Sequence, residues 1–148
     1  MKILLAIDGS KYSDATVQAL TSQIRREDTQ LLVLRIVEPR IYSTPPQMAV
    51  GYQPEMAEIM KEQFQQAQES VDRAAATLRS AGFEVSTRVL EAEPRMGILD
   101  LAAEWHADLI AMGSHGRRGL QRFMLGSVAE SVARSAHCSV LIVRTPQK

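Results

Sequence analysis

Cysteine is almost absent. The single thiol, Cys138, excludes an internal disulfide and any cysteine-rich zinc site. The histidines, His106, His115 and His137, have no paired metal-ligand spacing, so metal ligation is not expected. Net charge is also absent: 17 basic residues balance 17 acidic ones. Nothing global therefore draws the chain to nucleic acid or to an anionic membrane, and little protects it from self-association. No apolar run is long enough to span a bilayer. The opening MKILLAIDGS turns acidic at Asp8 and carries no signal-peptide cleavage site. Two phosphate-binding signatures are missing as well, GxxxxGK[ST] and a GxGxxG after the first strand. Together these absences lead to the expectation of a soluble cytoplasmic protein with no nucleic-acid or membrane partner.

What is present fits one domain spanning 1–148. The chain is 45% hydrophobic and 23% charged, enough to bury a core and remain hydrated outside. Nearly continuous apolar runs at Lys2–Ile7, Leu31–Val37, Ala107–Met112 and Ser139–Val143 read as strands buried on both faces. Phe83–Leu90 alternates and reads as a strand near an edge. Helical patterns lie between. Ser13 is a candidate N-cap for a helix through about Arg25. Pro54 precedes a long helix with apolar residues three or four apart from Met56 to Leu78, and Gly82 suits its end. Pro94 opens a third helix and Gly126-Ser127 a fourth. Alternating strands and helices predict right-handed crossovers and an open parallel sheet covered on both faces. The long irregular stretch Glu38–Gln53 reads as a lid or binding loop.

Glycine is concentrated in Met112–Val132, MGSHGRRGLQRFMLGSVAESV, which holds four of the eight glycines, at 113, 116, 119 and 126. Two readings fit. One is a flexible loop followed by a serine helix cap. The other is a phosphate cradle: glycine lets a ligand approach the backbone, and successive N–H groups and a helix N-terminus attract anions. The Ser127 hydroxyl can donate to a phosphate oxygen, and Arg117, Arg118 and Arg122 lie in the intervening loop. In open parallel sheets ligands bind beyond the carboxyl ends of the strands, where strand order reverses. Asp8-Gly9 ends the first strand and Gly113 ends the fourth, so neighbouring placement of these strands would bring both motifs to one crevice.

DGS after the first strand, DLIAMGSHGRRGL, FMLGSVAESV and the closing CSVLIVR resemble the universal stress protein family over essentially the whole chain. The spacing Gly113-x2-Gly116-x9-Gly126-Ser127 resembles its ATP-binding branch. The resemblance implies a Rossmann-like, adenine nucleotide alpha hydrolase-like sheet of five parallel strands in the order 3-2-1-4-5. It implies ATP, with Mg2+ as a companion of the nucleotide. Asp8, with Ala6 and Ile7 beside it, would reach the adenine or ribose. Ile36 would pack on adenine, and Met112 and Gly113 would line the base and ribose region. Gly116, Gly126, Ser127 and Val128 would hold the phosphates, with Arg117 nearby. It further implies a homodimer paired through the last strand, Val140 to Arg144. The chain departs from the family's habit at Ala92, where glycine is usual, and in CSV, where CPV is usual.

Plainer readings stand beside these. Asp8 also reads as a helix cap, and Ile36 and Met112 as core. Arg117, Arg118 and Arg122 also read as solvated loop charges. His115 reads as a polar loop residue rather than a base, and Cys138 as a small buried hydrophobe. The function expected is a nucleotide-dependent regulator acting on an unknown protein partner, with slow or no hydrolysis, since no base is evident for an attacking water. The alternatives are an adenylating or ATP-hydrolysing enzyme of the same fold, whose Ser-Gly-Gly loop DGSKYS does not match, and an interaction module with an empty crevice.

Overall fold

The computed structural model describes residues 1–39, 49–115 and 124–144, with 49–54 described by their main chain alone. Five strands and four helices alternate: β1 (Lys2–Ile7), α1 (Lys11–Gln23), β2 (Gln30–Val37), α2 (Ala49–Ser80), β3 (Glu84–Glu91), α3 (Pro94–Glu104), β4 (Leu109–Gly113), α4 (Ser127–Ser135) and β5 (Ser139–Val143). The sheet order is β3-β2-β1-β4-β5, and every neighbouring pair runs parallel. Strand order therefore reverses at β1, which pairs with β2 on one side and β4 on the other. Ile7 lies opposite Arg35, and Ala6 opposite Met112.

The two-residue period of a strand divides its apolar residues between two cores. Ile3, Leu5 and Ile7 of β1, with Leu31 and Val33 of β2, face α1 and α2, where Val17, Leu20, Val71 and Leu78 meet them. Leu4, Leu32, Leu34, Ile110 and Met112 face the other way, onto Ile98 and Leu101 of α3 and Ala129 and Val132 of α4. Cys138 packs beside this second core, and burial pushes its thiol pKa up, so it stays protonated. Alternation in β3 has the cause the sequence implied. It is an edge strand whose residues alternate between exposed and half-buried through most of its length.

Three element starts differ from the sequence reading by two residues or more. α1 is capped at Ser10, not Ser13, because the Ser13 hydroxyl is drawn to Asp8 instead. α2 begins at Ala49, before Pro54, so the last part of the Glu38–Gln53 stretch is helix. Proline's fixed φ is helical and its missing N–H forfeits one bond, a cost a helix can carry near its start. β4 begins at Leu109 rather than Ala107, because Ala107 N–H is taken by the Ala102 carbonyl at the turn closing α3. Gly82 ends α2 as expected. Its φ is +95°, and Phe83 N–H reaches back to the Leu78 carbonyl. Among the described residues no helix is long and apolar enough to cross a membrane.

Candidate functional site

The carboxyl ends of β1, β2 and β4 and the start of α4 surround one crevice of about 900 Å3. That volume lies within the usual range for a small-ligand site. Ala6, Ile7, Asp8, Ile36, Met112, Gly113, Gly126, Ser127 and Val128 all line it. Gly116 and Arg117 lie outside the described residues, as do Arg118, Gly119 and Arg122.

Asp8 is fixed by its neighbours. Its Oδ1 accepts from Ser10 N–H at 3.0 Å and from the Ser13 hydroxyl at 2.8 Å, while Asp8 N–H donates to Ser13 Oγ at 2.9 Å. The carboxylate thus organises the turn into α1 and lines the crevice at the same point. Gly9, immediately after it, has φ +76°, a conformation that disfavours other residues.

On the opposite wall, the chain leaves β4 at Gly113 and returns at Gly126. Ser114 N–H donates to the Val143 carbonyl at 2.9 Å, and Gly126 N–H donates to the Ser114 carbonyl at 2.8 Å. The two ends of the glycine segment are therefore tied together beside β4. Gly126, not Ser127, is the N-cap of α4, and it offers no side chain to the leading N–H groups. This removes the serine-cap reading of Ser127. It also leaves the helix start, with its partial positive charge, facing the crevice unshielded by a cap side chain.

Gly113 has a different basis. A Cβ built there would stand 2.9 Å from Tyr12 Cβ and 3.2 Å from the Tyr12 carbonyl carbon and oxygen. Close packing of α1 against β4 accounts for this glycine without any ligand. His115 also lines the crevice. Its Nδ1 meets Ser114 Oγ at 3.0 Å and its ring lies 5.5 Å from Tyr12. Buried His115 Nε2 and Ser10 Oγ have no hydrogen-bond partner among the described residues. Among those residues no group of three or more His, Cys, Asp or Glu could hold a metal ion.

Several wall residues escaped the sequence reading: Pro94 and Ile98 beside Ile36, Gln63 and Gln66 of α2, and Arg35. The helix and strand patterns hid the first four among ordinary surface and core positions. Arg35 did give a signal, as a lone charge inside the apolar run LLVLRIV.

The universal stress protein family model matches residues 1–144. A universal stress protein of Methanocaldococcus jannaschii is 34% identical over 147 residues, covering 99% of this chain and 84% of that one. The solved structure of UspA from Lactobacillus plantarum superposes with a TM-score of 0.83 at 23% identity, over 97% of each chain. A universal stress protein crystallised in complex with cAMP matches with a TM-score of 0.62 at 26% identity, over 99% of this chain and 98% of that one. The fold and the crevice at its switch point define an open α/β protein with a Rossmann-like parallel sheet. The chain belongs to the universal stress protein family.

Proposed function

We propose that the crevice binds an adenine nucleotide, ATP above all, and that the chain is a small nucleotide-dependent regulator in stress response. One observation carries this reading: the ends of β1, β2 and β4 and the bare N-terminus of α4 meet at the point where strand order reverses. The cAMP complex of a relative supports it. Ile36, Ile98 and Met112 offer an apolar slot for the base. Asp8, held by Ser10 and Ser13, would accept from a ribose hydroxyl. Gly126, Ser127 and Val128 would take the phosphates at the helix start, with Gly116 and Arg117 in the same role. Mg2+ would come with the nucleotide, held by its phosphates and water rather than by a protein cage.

Hydrolysis is slow or absent in this reading, and the output is a change at a surface read by a protein partner. The chain acts in the cytoplasm as one domain and as a homodimer. β5 supports the dimer: it is an edge strand, and Val140, Leu141, Ile142 and Val143 are only half-buried. The test is calorimetric titration of the full chain with ATP and Mg2+, beside Gly126→Val. Micromolar binding lost in the variant supports the site, and equal binding in both contradicts it.

A further inference from the structure

We propose that Arg35 marks a second phosphate subsite, on the α2 side of the crevice and across the sheet from the start of α4. Arg35 is the one charged residue of β2 and is only 8% exposed. Its place in β2 puts it on the face of Leu31 and Val33, against α1 and α2, whereas Ile36 faces α3. The guanidinium has five N–H donors and stays charged at any physiological pH. Nη1 donates to the Gln66 carbonyl of α2 at 3.2 Å. The ion pairs among the described residues are Arg95 with Glu93 and Arg134 with Glu130, so neither involves Arg35. Asp8 and Glu38 line the same crevice, yet neither carboxylate comes within ion-pair distance of it. The guanidinium belongs to a largely buried residue, has the Gln66 carbonyl as a hydrogen-bond partner and has no carboxylate paired to it among the described residues, whereas buried charges are normally paired.

The backbone beside it is shaped for close approach. A Cβ at Gly9 would stand 3.0 Å from Arg35 Nη1 and 3.2 Å from the Ser70 hydroxyl. Glycine with φ +76° at this position therefore keeps a Cβ out of the space next to the guanidinium, behind the crevice wall to which Arg35, Gln63 and Gln66 contribute. A guanidinium fork matches the oxygens of a phosphate group. Two sources supply that chemistry, free inorganic phosphate and a phosphate on the ribose 3′ oxygen of a bound nucleotide. The second rests on the nucleotide reading above.

The experiment is calorimetry on the full chain with inorganic phosphate alone, AMP, adenosine 3′,5′-bisphosphate and ATP. Each is titrated into wild type, Arg35→Gln, Arg35→Lys and Gly126→Val. Phosphate binding that falls at least tenfold in Arg35→Gln and persists in Gly126→Val supports the subsite. A tenfold preference for the bisphosphate over AMP, lost in Arg35→Gln, supports it and identifies the ribose phosphate as the source. Should Arg35→Gln fail to fold, Arg35→Lys, which keeps the charge and loses the fork, carries the test through a severalfold weaker affinity for the same probe. Absence of both phosphate binding and bisphosphate preference in a wild type that binds ATP overturns this subsite alone. Failure of ATP binding beside intact, Arg35-dependent phosphate binding overturns the nucleotide reading and leaves the subsite standing.

Discussion

Gly113 at the end of β4 is pressed against Tyr12 of α1, so closely that a Cβ on Gly113 would lie 2.9 Å from Tyr12 Cβ and 3.2 Å from its carbonyl carbon and oxygen. Backbone cannot move aside as a flexible side chain can. Gly113→Ala is therefore expected to destabilise the fold by about 1–3 kcal/mol, the usual scale of overpacking. Urea denaturation checks this through a lower midpoint at an unchanged slope. An unaltered midpoint would show that α1 and β4 are not in this contact. Loss of ligand binding in Gly113 variants is thus a poor witness for the site.

Gly126 is the better witness. As N-cap it has φ −61° and ψ 152°, extended values that any residue adopts. Gly126→Val is expected to cost about 1 kcal/mol or less in stability, the scale of a cap substitution. Its ATP affinity should fall more than tenfold, because the side chain stands where phosphate would approach. Wild-type-like titration heats would remove Gly126 from the proposed cradle.

Gly97 of α3 controls Ile36 indirectly. A Cβ there would meet Ile36 Cδ1 at 2.6 Å and the Ala92 methyl at 3.0 Å. The Ile36 tip can rotate away, but it rotates within the crevice wall. Gly97→Ala is expected to weaken adenine-nucleotide binding severalfold at a stability cost of about 1 kcal/mol. Adding Ala92→Gly should recover part of the stability, which a double-mutant cycle in urea measures. Strict additivity would show that Ala92 and Gly97 do not share this space.

Asp8→Ala removes the acceptor for Ser10 N–H and for the Ser13 hydroxyl. The expected loss is about 1.5–3 kcal/mol of stability, the scale of a hydrogen bond to a charged group. Nucleotide affinity should fall as well. Asp8→Asn, which keeps an acceptor oxygen, should recover more of the stability than of the affinity. Equal recovery of both would reduce Asp8 to a turn residue.

At the far edge of the sheet, Ile142→Asp puts a charge on a half-buried residue of β5. Sedimentation velocity is expected to show a dimer for the wild type and a monomer for the variant. An unchanged sedimentation coefficient would contradict pairing through this edge.

The strands were legible because apolar runs buried on both faces leave little ambiguity, and Gly82 and Pro94 marked real helix boundaries. The strand order came from family resemblance, not from periodicity. Ser13 and Pro54 misled for a shared reason. Each fits a local helix-start rule that the structure does not follow there. Ser13 answers to Asp8, five residues earlier, and α2 runs through Pro54. The described site residues do gather at one crevice. Sequence could not reveal that Gly113 answers to Tyr12, because that contact exists only once α1 has packed on β4. Arg35 was visible as an oddity, but the lack of a paired carboxylate among the described residues depends on where Asp8 and Glu38 end up.

The most direct measurement is to denature the purified chain, identify any released nucleotide by mass spectrometry, and titrate the emptied, refolded protein with ATP and Mg2+. The account predicts released adenine nucleotide, or saturable ATP binding that disappears in Gly126→Val. No released nucleotide and no binding heat in a correctly refolded chain would contradict it, and would return the glycines of Met112–Val132 to the role of a plain loop.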